Sequence, residues 1–134
     1  MLSVYSYWMY DKMSFKWDKF FDVGICMKNI SEKEEYQRSA VGRYYYAAYG
    51  LIREYYEKKY NKVVPSINSH SFLINELESS YGDERRIGKN LRSMRSYRNF
   101  ADYNKIFHSC NVERTEKIYN EIIRLLENLN KKSK

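Results

Sequence analysis

Apolar residues recur at steps of three and four along most of the chain, which is the spacing of one face of an α-helix. The first such segment predicts a helix over Phe15 to Ile30. A longer segment predicts a second helix that runs toward Tyr60 and carries one stripe, formed by Ala40, Tyr44, Ala47, Leu51 and Tyr55. Between them, SEKE is typical of a capping box, in which Ser31 accepts from the backbone N–H three residues on and Glu34 reaches back. The second helix is therefore expected to begin at this motif.

Turn-forming residues divide the rest of the chain into three further helices. The segment NKVVPSINS must be a loop, because Pro65 cannot continue a helix. Ser69 is predicted to cap a short third helix, and Asp83 to cap a fourth that reaches Phe100 or beyond. Asn111 is predicted to cap the last helix, whose core residues are Ile118, Ile122, Leu125, Leu126 and Leu129. Short connections favour antiparallel neighbours, so the pattern predicts an all-α, up-and-down bundle of four to five helices.

The length of 134 residues is typical of one domain, and no repeat or low-complexity linker divides it. We expect residues 1–134 to form one unit, with the first 14 and the last 4 residues peripheral. No apolar run approaches the ~20 residues that cross a bilayer, and the aromatic opening lacks the basic start of a signal peptide. A cytoplasmic protein is therefore predicted, with Cys26 and Cys110 as reduced core residues.

The formal net charge of +7 and the 15 tyrosines favour a nucleic-acid ligand, because cations meet phosphates and aromatic rings stack on bases. An AT-rich genome is an alternative explanation, since it enriches Lys, Asn and Tyr codons. On the fourth helix, one face carries a row of polar and cationic residues: Arg85, Lys89, Arg92, Arg95 and Asn99. Such a row either binds phosphates or is a solvated face.

Arg98 interrupts the apolar stripe of this fourth helix, which consists of Ile87, Leu91, Met94 and Ala101. A guanidinium buried without a partner is very costly, so Arg98 needs an acid, a cleft or another subunit. Asp102 lies one turn later and within reach. An internal Arg98–Asp102 ion pair that only orients the helix is therefore the structural alternative to a functional site.

The second helix presents Arg43, Tyr46 and Gly50 on one side. Gly50 lowers helix stability, so a close approach of another backbone is expected there. Together with Arg98 in an apolar stripe, Gly50 predicts a homodimer with the fourth helices near the two-fold axis. The two histidines, His70 and His108, have no Cys or carboxylate cluster at ligand spacing. Neither a metal site nor a cofactor is predicted, and no glycine-rich phosphate loop or nucleophile elbow is present.

Three segments taken together resemble the HEPN superfamily, which comprises small helical nucleotide-binding or ribonuclease domains. They are SAVGRYYYAAYGLIREYY on the second helix, Ser69–His70 at the start of the third, and LRSMRSYRNFADYN on the fourth. The most specific part is R-N-x-A-D-Y, formed by Arg98, Asn99, Ala101, Asp102 and Tyr103. The resemblance extends over about residues 32–129 and includes the order of the helices.

The resemblance implies a metal-independent endoribonuclease site in which two motifs meet across a homodimer. In that family an arginine is followed about four to six residues later by a histidine, whose imidazole exchanges protons near neutral pH. Arg98 matches the arginine, but the residues at the histidine offsets are Asp102, Tyr103 and Asn104. His108 lies too far along the chain, so the motif is divergent and lacks the usual histidine.

The resemblance also implies roles for the motif residues. Arg98 would hold phosphate charge, Asn99 and Tyr103 would position it, and Asp102 would orient Arg98. The remaining candidate nucleic-acid contacts are Arg43 and Tyr46 in the cleft, and Lys89, Arg92 and Arg95 on the basic row.

Two functions follow from these expectations. The first is an RNA- or nucleotide-directed toxin or defence protein, because the ADY type resembles small stand-alone HEPN proteins that are paired with a minimal nucleotidyltransferase antitoxin. Such a partner could modify Tyr103, which lies beside the arginine motif. The second is a non-catalytic helical adaptor or dimerisation module that binds a nucleotidyltransferase or another protein.

Overall fold

The computed structural model describes residues 15–132, and over this range the chain is helical with no β-strand. It contains five helices: α1 (Asp18–Ile30), α2 (Glu34–Tyr60), α3 (Ser69–Glu78), α4 (Gly82–Tyr103) and α5 (Cys110–Lys132). The predicted all-α bundle is thus confirmed. The periphery expected for the first 14 residues lies outside the described residues, whereas Lys131 and Lys132 still belong to α5.

Contacts between helices give their directions. A methyl group on Gly24 of α1 would meet Ala40 and Tyr44, and one on Gly50 of α2 would meet Trp17, just before α1. The later residue of this N-terminal segment thus lies near the earlier part of α2, and the earlier residue lies near the later part. The two helices are therefore antiparallel. In the same way, Arg38 and Tyr55 of α2 contact Ala101 and Glu84 of α4. Lys132 at the end of α5 reaches Asp83 at the start of α4. The four long helices therefore run up and down, with the short α3 inserted before α4.

The central element of the bundle is α2, which packs against α1, α4 and α5. Its largest fully buried side chains are Tyr44, Tyr45 and Ile52. A helix that has neighbours on several sides must be apolar over most of its circumference. This explains why α2 buries alanines and tyrosines outside the stripe that the sequence predicts.

A buried carboxylate joins the C-terminal end of α2 to the start of α4. Glu84 is 4% exposed and accepts hydrogen bonds from the hydroxyls of Tyr60 (2.7 Å), Ser80 (2.8 Å) and Tyr55 (3.0 Å). The Lys59 ammonium lies 3.4 Å from Glu84 Oε2. Burial raises the pKa of Glu84, but the three hydroxyls and the ammonium together lower it below its ordinary value.

The predicted capping box is wrong. Ser31 has extended backbone (φ −156°, ψ 145°) as the C-cap of α1, and its Oγ accepts from the Lys33 N–H at 3.1 Å. Lys33 is the N-cap of α2 and makes no side-chain cap bond. The Glu34 carboxylate pairs instead with Arg38 at 2.7 Å. The helix begins two residues later than the motif predicts, because Ser31 forms a turn with Lys33 and is not the N-cap of α2.

The other predicted caps are displaced by one or two residues. The N-cap of α3 is Asn68 in the left-handed region (φ 56°), and that of α4 is Tyr81, so Ser69 and Asp83 lie inside the first turns. Asn111 also lies inside the first turn of α5 and is buried. Boundaries at this level vary by a residue or two, so the predicted helices themselves stand.

Gly50 is explained within the chain rather than by a second subunit. A methyl group at this position would overlap the indole ring of Trp17, which packs directly on the α2 backbone. The close approach predicted from the sequence is real, but it is made by a side chain. Gly50 therefore no longer supports the expected subunit contact.

Cys26 and Cys110 are free thiols and both are exposed, so their predicted place in the core is wrong. They lie on the outward faces of α1 and α5, where neither contributes to packing. Along residues 15–132, no helix combines the length and the apolar character that crossing a lipid bilayer requires.

Candidate functional site

Arg98 lies in the apolar stripe of α4 because aromatic rings of α2 cover it. Its side chain is 21% exposed, while Leu91, Met94 and Ala101 are buried. The guanidinium carbon lies 5.2 Å from the ring centre of Tyr46 and 5.9 Å from that of Tyr45. A planar guanidinium is weakly hydrated and stacks well on such rings. The aromatic rings that cover the guanidinium of Arg98 therefore come from the same chain.

The predicted Arg98–Asp102 ion pair is present. Arg98 Nε lies 2.9 Å from Asp102 Oδ2, with the two side chains 21% and 36% exposed. The Nε–H is buried and makes no hydrogen bond with the described residues, so this contact is an ion pair without a hydrogen bond. Arg98 Nη1 donates to Asn99 Oδ1 at 3.4 Å. Because exposed pairs of this kind contribute little, the ion pair alone does not account for the arginine.

His70 of α3 lies in the same place, which sequence reasoning did not predict. A hydrogen bond of 2.5 Å joins its Nδ1 to the hydroxyl of Tyr45. Its ring stacks on Tyr49 with centroids 4.1 Å apart and meets the edge of Tyr46 at 6.3 Å. Tyr45 and Tyr46 thus contact both His70 and Arg98. We call this group, with Arg95 and Tyr49, the Arg98–His70 cluster.

The cluster is electrostatically positive. Burial lowers the pKa of His70, and Arg95, Arg98 and Arg53 lower it further. Burial raises the pKa of Tyr45, and Arg95 and Arg98 only partly oppose this rise. Both hydrogen-bonded groups are therefore neutral near pH 7, while the arginines around them keep their charge.

The predicted basic row separates into residues with different surroundings. Arg92 donates to both carboxylate oxygens of Glu78 (2.6–3.0 Å) and to Asn75 Oδ1 (3.1 Å), which links α4 to α3. These hydrogen bonds are the main reason that the pKa of Glu78 is lowered. Lys89 is exposed, and Arg95 is half-buried beside Tyr45 and His70. Arg95 is thus the member of the row that belongs to the cluster.

The structure brings Tyr46 to Arg98 but places Arg43 elsewhere. The Arg43 guanidinium lies 5.3 Å above the ring of Phe20 in α1. Phe20 contacts Trp17, whose ring carries Arg53 at 5.2 Å, and Arg53 also lies 5.6 Å from Tyr49. Arg43 is therefore joined to the cluster only through a band of alternating aromatic and cationic side chains.

The end of the motif is held by Arg38 of α2. Its Nη1 donates to the carbonyl of Ala101 at 2.6 Å, and its Nη2 donates to that of Lys105 at 3.2 Å. The first bond satisfies a carbonyl in the last turn of α4 that lacks a helical partner, and the second holds the segment just after the helix. Tyr103 and Ile106, which follow, are 79% and 67% exposed. The motif tyrosine therefore points to solvent, away from the aromatic rings that cover Arg98.

Over residues 15–132, no three His, Cys, Asp or Glu side chains lie close enough together to hold a metal ion. No protein-family model matches the chain, and no curated protein or solved structure matches it significantly. The HEPN resemblance therefore stays a prediction that rests on the motif residues and the order of the helices.

Proposed function

We propose that this protein is a HEPN-type, RNA-directed domain that holds a phosphate of its substrate at Arg98. The observation that carries the proposal is the guanidinium of Arg98, which lies on the Tyr46 ring beside the partly exposed carboxylate of Asp102. Arginine binds phosphate with two parallel hydrogen bonds, and aromatic rings stack on bases without sequence preference. The cluster offers both kinds of contact at one place.

In this proposal Asp102 orients Arg98, and Asn99 positions the bound phosphate. The reaction is metal-independent cleavage of RNA by a divergent motif. The protein acts in the cytoplasm as the toxin or defence component of a pair, with a minimal nucleotidyltransferase as the partner that modifies Tyr103. Two features support this setting: on the single chain the Tyr103 ring is exposed to a modifying enzyme, and the exposed free thiols suit a reducing compartment.

Salt dependence of RNA binding tests the proposal. A labelled single-stranded RNA is titrated at several salt concentrations, and binding is expected to weaken steeply because phosphate contacts release counterions. Arg95→Ala and Lys89→Ala should each flatten the logarithmic salt slope by about one unit. Arg124→Ala is the matched control, because Arg124 is an exposed arginine on α5 that pairs with Glu121. Absence of binding at low salt, or binding indifferent to salt, would exclude RNA as the ligand.

The second candidate is a helical adaptor that binds a protein partner. The observation that favours it is the exposed apolar pair Tyr103 and Ile106 at the end of α4. If this reading is correct, Tyr103→Glu abolishes partner binding, whereas Arg98→Ala and Arg95→Ala leave it unchanged. The two functions thus place their essential residues on different parts of α4.

A further inference from the structure

We infer that His70 is the proton-transfer group of the proposed ribonuclease site, so that α3 supplies the imidazole that the motif on α4 lacks. This inference rests on the proposed function, since it requires that RNA binds at Arg98. It adds a catalytic role for a residue that lies outside the R-N-x-A-D-Y motif.

The geometry holds the imidazole in one orientation. Tyr45 binds Nδ1 at 2.5 Å, and the ring of Tyr49 stacks against one face at 4.1 Å. With Nδ1 occupied by a protein group, Nε2 is the nitrogen left for a ligand. Tyr45 and Tyr46 contact both Arg98 and His70, so the guanidinium and the imidazole share one aromatic surface, and the inference places the bound phosphate on that surface. Fixing one ring nitrogen with a hydrogen bond is how proteins orient a working histidine.

A purely structural role for His70 would require fewer contacts than the imidazole makes. The buried hydroxyl of Tyr45 requires a partner, which any small polar side chain could supply. The imidazole instead faces Tyr45, Tyr46, Tyr49 and Arg53 from α2, and Arg95 and Arg98 from α4. The carboxylate of the motif, Asp102, is paired with Arg98. Three arginines without an adjacent acid disfavour the imidazolium, and a neutral imidazole is what a general base requires near pH 7.

The proposed step balances without any further reactant. Nδ1–H donates to the Tyr45 oxygen, so Nε2 carries the lone pair and removes the proton from a ribose 2′-hydroxyl. The 2′-oxygen attacks the adjacent phosphorus, and the bond from phosphorus to the 5′-oxygen breaks. The imidazolium returns its proton through water to the leaving 5′-oxygen. The products are a 2′,3′-cyclic phosphate and a 5′-hydroxyl, and Arg98 stabilises the charge that develops on the phosphate oxygens.

The test compares variants of the two histidines in the full chain. His70→Asn keeps a hydrogen-bonding group for the Tyr45 hydroxyl but cannot exchange a proton near neutral pH. His108→Ala is the matched control, because His108 is the other histidine of the chain, is exposed and stacks on Phe100 instead. Single-turnover cleavage of a labelled single-stranded RNA is measured together with RNA affinity and thermal unfolding.

We expect His70→Asn to slow cleavage by about 100-fold or more while RNA affinity stays near that of the wild type. His108→Ala should leave both unchanged. The wild-type rate should rise with pH and level off below about 6.5, the ordinary pKa of histidine, because burial and the three arginines lower the pKa of His70. This rising limb should disappear in His70→Asn, a result that loss of a merely structural contact would not produce.

The remaining outcomes separate the inference from the proposed function. If His70→Asn cuts RNA at the wild-type rate, or if the wild type binds RNA without cutting it, the inference is overturned while RNA binding stands. If the wild type does not bind RNA, both fall. If His70→Asn does not fold, Tyr45→Phe combined with His70→Leu removes both polar groups at once and avoids an unpaired buried hydroxyl. Cleavage by that folded double variant would equally overturn the inference.

Discussion

Arg98 shows how one residue can satisfy packing and still remain available for a ligand. The rings of Tyr45 and Tyr46 cover its flat face, and Asp102 lies at its edge. The ion pair and the site are therefore compatible, and the difference between them is energetic. A partly exposed pair contributes about 0–1 kcal/mol, whereas under the proposed function loss of Arg98 removes phosphate binding and with it the activity.

Replacing Arg98 tests this difference. We expect Arg98→Ala to shift the melting temperature little, because the pair is partly exposed, and to abolish RNA cleavage or cell toxicity. Asp102→Ala and the double variant complete a thermodynamic cycle. A large loss of thermal stability that Asp102→Ala rescues, with activity intact, would show that the pair is only structural.

Glu84 is the residue whose charge contributes most clearly to folding. The pKa of Glu84 is lower in the folded protein than the value near 4.5 in the unfolded chain. The stabilisation from its charge is therefore fully present above the unfolded pKa, and it is lost as the pH falls toward the folded pKa. We expect Glu84→Gln to lower the free energy of unfolding at pH 7 by about 2–3 kcal/mol, since three hydroxyls lose a charged acceptor. Urea unfolding at pH 7 and pH 3 checks this. A difference between the two proteins that stays constant between these pH values would contradict it.

Among the elements, α2 depends on close packing at one of its two glycines. Gly50 lies under the Trp17 ring, whereas a methyl group on Gly42 of the same helix would have no atom within 4 Å. Both glycines lie inside the helix, so each makes helix formation about 1 kcal/mol less favourable than alanine would, through backbone entropy.

These glycines form a matched pair for thermal unfolding. We expect Gly42→Ala to raise the free energy of unfolding by about 0.5–1 kcal/mol, because it only limits the unfolded chain. Gly50→Ala should lower it by about 1–3 kcal/mol, because the methyl group displaces the indole ring. If both variants gain stability, Trp17 does not hold α1 against α2 in the way described.

At the scale of the whole molecule, the homodimer stays a prediction. Its remaining support is the exposed apolar surface that Tyr103, the last residue of the motif, forms with Ile106. We expect light scattering at micromolar concentration to give the mass of a dimer, and Tyr103→Glu to give a monomer, since a buried charge opposes association. Tyr81→Glu is the control, because Tyr81 is equally exposed but at the other end of α4. A monomeric wild type would count heavily against a shared site.

The sequence by itself determined the helices, their order and the up-and-down arrangement. These depend on local causes: a 3.6-residue period, the break at Pro65 and short connections. The Arg98–Asp102 pair was predictable for the same reason, because residues four apart on a helix always face each other. The helix caps were less predictable, since Ser31, Ser69 and Asp83 can each make several local turns, and tertiary packing selects among them.

Only the tertiary structure decided which distant residues meet. Nothing in the spacing of the chain shows that Tyr45, His70 and Arg98 lie together, or that Gly50 receives the ring of Trp17. A periodic pattern states which face of a helix is buried but not which neighbour covers it, because that depends on how all five helices pack. The position of His70 relative to Arg98 was therefore not predictable from the sequence, because it depends on contacts of both residues with Tyr45 and Tyr46 of α2 that exist only in the folded chain.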